Sequence, residues 1–498
     1  MMNIKRMLSL LLLLLVCLSL AACSVTKSSP QSSGSPSALS LPIPETNPPA
    51  APYGDQTDNK VYRASIYYAS SDGTVSMPST RVLWINSHSS IERRLAEELL
   101  KTPGGDAMMV APKGSRIASV EAAGPVVTVN VIPSMPLNDS ETALIIEAMS
   151  KTLLEADGVE GVNTLISGRA SEINHLPVGV IQETNSAKAY LDEADHYALS
   201  AVMPETMERV VALYYPSASE NALLVNSAYV SLDMSKPAES ILSALMQPPS
   251  IQNALTAIPS VDRLMEKDAV YSLTPSGERI LNLYFTSDAM TALTESGHDR
   301  QMYLASIVLT LTSFLPETDG VTLTIGGKLV TEVPVKNAPN QKFPSGIMRR
   351  SDFAHLIGKN VPLYFADENG MLALETRALP LAAADSPRAR IVQLMEGPKS
   401  SDLLSIFPDG LKNTDILGVS VSENIVLVNL SANAYRLAQS LTVQEEELFV
   451  YGLVNTLSEI SGINGVRLYF DGVTGSYLTH RIHLTGVILP NPGRISVN

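Results

Sequence analysis

Residues 442–472 read TVQEEELFVYGLVNTLSEISGINGVRLYFDG, a helix that stops at glycine and runs directly into a strand. The C-terminal part has the form G-V-x-x-x-[I/F]-x-G, and the chain writes it three times: GVNTLISG from Gly161 to Gly168, GVTLTIGG from Gly320 to Gly327 and GVRLYFDG from Gly465 to Gly472. Aligned on the first glycine, Glu141, Arg300 and Glu445 each stand twenty residues upstream. Between them the apolar residues fall at helical spacing: Ile146, Met149 and Leu153; Leu304, Val308, Leu311 and Leu315; Val450, Leu453, Leu457 and Ile460. Each helix therefore has an apolar face to bury. Thr442 and Glu445 fit a capping box, with Asn138 and Glu141 a looser version. Gly158, Gly320 and Gly462 stand where a residue of positive φ terminates a helix. The frame predicts helix, stop and buried strand, three times over.

Each copy belongs to a longer unit. A short aromatic strand opens it (Tyr67-Tyr68, Tyr214-Tyr215, Tyr364-Phe365), followed by an apolar strand and a first helix that ends before Pro103, Pro248 or Pro398. Next come Ala111-Pro112, Ile258-Pro259 and Phe407-Pro408, then an alternating strand that leads into the long helix. A last extended piece lies at 176–181, 343–348 and 484–489. The units span residues 59–182, 207–348 and 357–489, and their length makes them tandem domains with their own cores rather than a solenoid. The 182–208 connector is polar and carries a possible helix at 187–199 that could dock rather than dangle. A chain of 498 residues with 45% hydrophobic and 17% charged residues accommodates three such domains.

The first residues predict targeting. Lys5 and Arg6 precede an apolar run at 8–20, and Leu20-Ala21-Ala22-Cys23 follows at once. This resembles the bacterial lipoprotein signal, which implies cleavage after residue 22 and lipidation of Cys23, anchoring the protein to the membrane on its extracytoplasmic face. The alternative is an uncleaved anchor, for which about thirteen apolar residues are short of the roughly 20 a span needs. Cys17 would leave with residues 1–22, so Cys23 would be the one cysteine of the mature chain, with no internal disulfide and no thiol site. Residues 23–58 are Ser- and Pro-rich without periodicity and predict a disordered tether.

The order strand, strand, helix ending in x-P, I-P, strand, capped helix and glycine-framed strand resembles the GerMN domain of sporulation and germination lipoproteins. The third copy carries the resemblance most clearly, through Leu363-Tyr364-Phe365, Glu396-Gly397-Pro398, Phe407-Pro408-Asp409-Gly410 and the 465–472 frame. The resemblance implies an α+β fold in each domain: a small mixed sheet with two helices packed on one face, similar to ring-building-motif domains. It also implies an extracytoplasmic role in assembling or localising a sporulation or germination complex through protein partners, with no catalytic residues in the pattern. The count departs from that pattern, three copies here against two.

Chemistry is sparse otherwise. A formal net charge of −15 and no basic stripe argue against a nucleic-acid partner. Of the seven histidines (His88, His175, His196, His298, His355, His480, His483) only His480 and His483 pair, and on a strand their spacing points them to opposite faces. We therefore expect no metal or other cofactor. Glu445-Glu446-Glu447 suggests acid chemistry or calcium, but acids in a first helical turn are favoured by the helix dipole. No G-x-S-x-G elbow or P-loop is present. The aromatic pairs allow two readings, a covered strand or an outward ring that anchors a partner. Two functions remain: a non-enzymatic, lipid-anchored scaffold, or a cell-envelope ligand binder or accessory protein acting on peptidoglycan or a germinant.

Overall fold

The computed structural model describes residues 48–55, 59–73, 75–86, 89–200, 203–255, 265–289 and 299–496. The readings of the signal, of Cys23, of His88 and His298, and of Ile258-Pro259 lie outside the described residues.

Each repeat has the same five strands and two helices. The first has β1 (Asn59–Ala69), β2 (Val75–Asn86), α1 (Ile91–Leu99), β3 (Arg116–Ala123), β4 (Val126–Ile132), α2 (Asp139–Leu153) and β5 (Gly161–Ile166). The second has β6 (Thr206–Pro216), β7 (Leu223–Asp233), α3 (Pro237–Leu245), β8 (Met265–Leu273), β9 (Arg279–Phe285), α4 (Arg300–Phe314) and β10 (Gly320–Ile325). The third has β11 (Gly358–Ala366), β12 (Leu372–Pro380), α5 (Pro387–Met395), β13 (Ile416–Ser422), β14 (Ile425–Leu430), α6 (Val443–Ser458) and β15 (Gly465–Phe470). The opening pair is a separate antiparallel hairpin. The other three strands form a mixed sheet, antiparallel then parallel, and the long helix is the crossover a parallel pair requires. The fold class is therefore α+β in three repeated domains.

The frame glycines fall in one register: Gly161 opposite Val126, Gly320 opposite Ile280 and Gly465 opposite Ile425. None of the three has positive φ, and space is what requires them. A Cβ would lie 2.6 Å from Val180 Cγ1, 2.9 Å from Ile347 Cγ2 and 2.8 Å from Ile488 O respectively, because the last extended piece of each unit pairs with the frame strand there. The expected helix stops hold at Gly158 (φ 76°) and Gly462 (φ 78°), but Gly320 is not one. The second repeat places Glu317 (φ 60°) three residues before its frame glycine instead. The closing glycines Gly168, Gly327 and Gly472 do have positive φ, each preceded by a positive-φ residue (Ser167, Gly326, Asp471). Two successive positive φ values are what a two-residue type I′ hairpin needs, and each strand turns back at that point.

Both capping boxes are formed, at Asn138/Glu141 and Thr442/Glu445, while Asp299 caps α4. The helices carry a second repeated device. A threonine on each long helix takes the N–H of the first residue of the aromatic pair on the opening strand: Thr152 from Tyr67 at 3.1 Å, Thr310 from Tyr214 at 3.1 Å and Thr456 from Tyr364 at 3.0 Å. One turn on, Glu155 and Glu459 accept the hydroxyls of Tyr67 and Tyr364. Helix and hairpin edge are thus bonded as well as packed, each net bond contributing about 0.5–1.5 kcal/mol.

The first and third cores are built from their own residues, 64–162 and 363–488. The second recruits Ala123, Val126 and Val180 from the first repeat. Accordingly α4 has no solvent face: every residue from Gln301 to Phe314 is buried, where the sequence predicts one apolar face. The connector helix (Ala187–Ser200) docks through Ala187 and Ala194 beside Ile146 and Met207. Residues 48–55, within the stretch read as a disordered tether, lie against the third repeat.

Candidate functional site

The side chains with chemistry gather at three places: the junction of the repeats, the last loop of the third repeat and a cleft between the first and third. At the junction Arg350, from the turn that follows the second repeat, reaches Glu121 on β3, the Tyr214 hydroxyl on β6 (2.8 Å) and Ser313 on α4. Its environment is buried, and the Glu121 carboxylate and Tyr214 hydroxyl outweigh that desolvation, holding the guanidinium firmly charged. Ser313 stands where Glu155 and Glu459 stand in the other copies, so Glu121 of the neighbouring repeat supplies the missing carboxylate. Around it Asn163 on β5 donates to Ser313 O at 3.0 Å, and Arg169 forms a two-point pair with Asp319 at 2.7 and 3.0 Å. The outer face of the first sheet is thereby covered by α4.

The aromatic pairs are therefore not free anchors. Tyr68, Tyr214, Tyr215, Tyr364 and Phe365 are buried and Tyr67 is half-buried, so the covered-strand reading holds. The exposed aromatic of the first hairpin is instead Trp84 on β2, beside Val82.

In the third repeat the acidic triplet divides its work. Glu445 closes the capping box, and the Thr442 backbone N–H and hydroxyl hold its carboxyl below the usual range. Glu447 pairs with Arg494. Glu446 is fully buried, and accepts the backbone N–H groups of His480 (2.7 Å), Arg481 (3.1 Å) and Ile482 (2.9 Å). The helix dipole alone does not account for Glu446, because it pins a loop. His480 and His483 sit on that loop and do not converge: the His480 ring contacts Leu441 O, and His483 stacks on Tyr477 at 4.1 Å. His175 and His355 are exposed, and His196 lies against Tyr197. Among the described residues no group of three or more His, Cys, Asp or Glu is placed to hold a metal, and no helix is long and apolar enough to cross a membrane.

The cleft, about 550 Å³, is lined by Ser90, Arg93, Asp385, Arg388 and Asp55 among others. Its charges are satisfied within the protein: Arg93 with Glu97, Asp385 with Lys359 and Arg388 with Asp55, all at 2.7–2.9 Å. What it offers a ligand is a polar wall already neutralised.

The family described as Germane, sporulation and spore germination, matches at residues 65–172, 212–331 and 362–475. No curated protein matches the chain. Among solved structures the chain is similar to the tandem GerMN domains of the sporulation protein GerM from Bacillus subtilis, at 17% identity over 58% of this chain and 99% of that one, with a TM-score of 0.22. It is also similar to a putative lipoprotein from Clostridium perfringens (13%, 27% and 92%, 0.19) and to the first GerMN domain of GerM alone (15%, 25% and 96%, 0.20).

Proposed function

The chain belongs to the Germane family of sporulation and spore germination, and we propose that it serves that process as a non-enzymatic scaffold, lipid-anchored at Cys23 on the extracytoplasmic face of the cell membrane. The observation that carries this reading is what the three copies share. The threonine–tyrosine bond, the glycine register and the crossover helix recur in every repeat, and each serves the fold. The charged side chains at the junction are spent on joining repeats to one another, and those in the cleft are paired within their own repeat or with residues 48–55, which leaves surfaces rather than a charged site for protein partners. An envelope ligand binder would instead keep convergent polar groups available in its cleft.

Anchoring and role are tested separately. Cys23→Ala should move the protein from the membrane fraction to the soluble one or stall its processing, since diacylation supplies two buried chains at about 0.8 kcal/mol per CH₂; unchanged fractionation refutes the anchor. A deletion strain should show a sporulation or germination defect that a His480→Ala/His483→Ala variant restores in full. Failure of that folded variant to complement would replace the scaffold with a histidine-dependent activity.

A further inference from the structure

The outer faces of the first and third sheets are both covered, the first by α4 and the third by the chain's own residues 48–55. We propose that the outer face of the third sheet is a docking site for an extended, proline-containing acidic segment, and that its occupant is this N-terminal arm. The arm is held along its whole length. Tyr469 on β15 donates its hydroxyl to Pro49 O at 2.5 Å, and Asn429 on β14 donates its amide to Pro52 O at 2.9 Å. Gly54 N donates to Leu417 O at 2.8 Å on β13, the sheet's edge strand. Asp55 completes the grip by accepting from Arg388 Nε at 2.7 Å and from Val419 N at 3.3 Å.

The receiving surface is shaped for this. Asn429 is fully buried and Tyr469 nearly so, and both stand on the face opposite the third core. Gly418 leaves room for the arm, because a Cβ there would fall on the Pro52 and Gly54 carbonyls, while one at Gly472 would meet the Tyr53 ring. The two carbonyl-seeking side chains, the edge-strand bond and the bare Gly418 read the arm's backbone, while Arg388 and the space at Gly472 take the Asp55 and Tyr53 side chains. The arm adds no strand to the sheet; it lies on the sheet's face, held mainly through its carbonyls, with one backbone bond at the edge. Beyond the arm the chain stays on the third repeat, where Asn424 holds Val61 N and Val61 O at 2.7 and 2.8 Å.

The consequence deepens the scaffold reading and rests on it: a chain anchored upstream of residue 48 leaves the body from the third repeat, which makes that repeat the tethered one. Docking itself is measured on soluble full-length mature protein by hydrogen exchange, so its failure is distinct from failure of the anchor. The Gly54 amide, bonded to Leu417 O, should exchange at least about tenfold slower than in a free peptide of residues 48–55. Gly418→Val should abolish that protection while α6 remains protected. Asp55→Ala, which alters only the arm, should speed Gly54 exchange by about threefold, with α6 again unchanged. Free-peptide rates in the unsubstituted protein, or protection that Asp55→Ala leaves untouched, overturn the proposal.

Discussion

The Glu446 carboxylate accepts three backbone N–H groups inside the third repeat, so truncating it strands three donors at once. At about 1–3 kcal/mol for a buried unsatisfied group, Glu446→Ala should cost roughly 3–5 kcal/mol, read as a lowered urea midpoint. Glu446→Gln keeps one acceptor oxygen and should fall between. Glu447→Ala, which removes a partly exposed ion pair, should stay within about 1 kcal/mol. The frame glycines separate two kinds of requirement at the same scale. Gly465→Ala should cost about 1–3 kcal/mol through a clash with Ile488 O and Val487, because its φ is ordinary and the neighbouring strand has to move. Gly472→Ala should lose a similar amount for another reason, a side chain held at φ 81° and set against the Tyr53 ring. Removing the strand side chain with Val487→Ala should relieve part of the Gly465→Ala loss and none of the Gly472→Ala loss, a contrast that thermal melts of the double variants check.

Among the elements α4 differs most from its two counterparts. Its sequence carries the apolar positions of the other long helices, but Ser306, Thr310, Thr312 and Ser313 are buried as well. Those small polar residues bond to both neighbours: Ser306 donates to Tyr214 O on the second repeat's own hairpin, and Ser313 O accepts from Asn163 on the first sheet. Arg350 locks the arrangement. Arg350→Met should destabilise the joined first and second repeats by about 2–4 kcal/mol, because it leaves the largely covered Glu121 without its countercharge. Pairing it with Glu121→Gln should recover much of the loss, and denaturation of the single and double variants measures the difference. Additive losses would show that Arg350 and Glu121 act independently.

Over the whole molecule the repeats differ in self-sufficiency. The third has a core drawn from residues 363–488, so a fragment of residues 357–498 should unfold cooperatively on heating. The second shares its core with the first and buries α4 on every side. A fragment of residues 207–348 alone should therefore aggregate or melt broadly, whereas residues 59–348 together should restore a single sharp transition. Circular dichroism melts of the three fragments give the comparison. A sharp transition for 207–348 alone would mean the first sheet contributes little to α4.

Local rules written in the chain determined the repeat itself. The 20-residue offset from Glu141, Arg300 and Glu445 to the frame glycines, the capping boxes and the helical period each depend on neighbours within one or two turns, which is why they were legible. The Ser-Gly, Gly-Gly and Asp-Gly pairs that close the frames are hairpin signals of the same local kind, and the strand turns that they make follow from positive φ at two successive residues. Tertiary structure alone decided what each face meets. That Gly320 answers to space rather than φ, that Glu446 holds a loop 34 residues away, that Arg350 beside Ser313 takes its carboxylate from Glu121, and that residues 48–55 lie on the third sheet all depend on groups far apart in the chain. Burial and close approach are properties of those distant pairings, and no local pattern of residues encodes them.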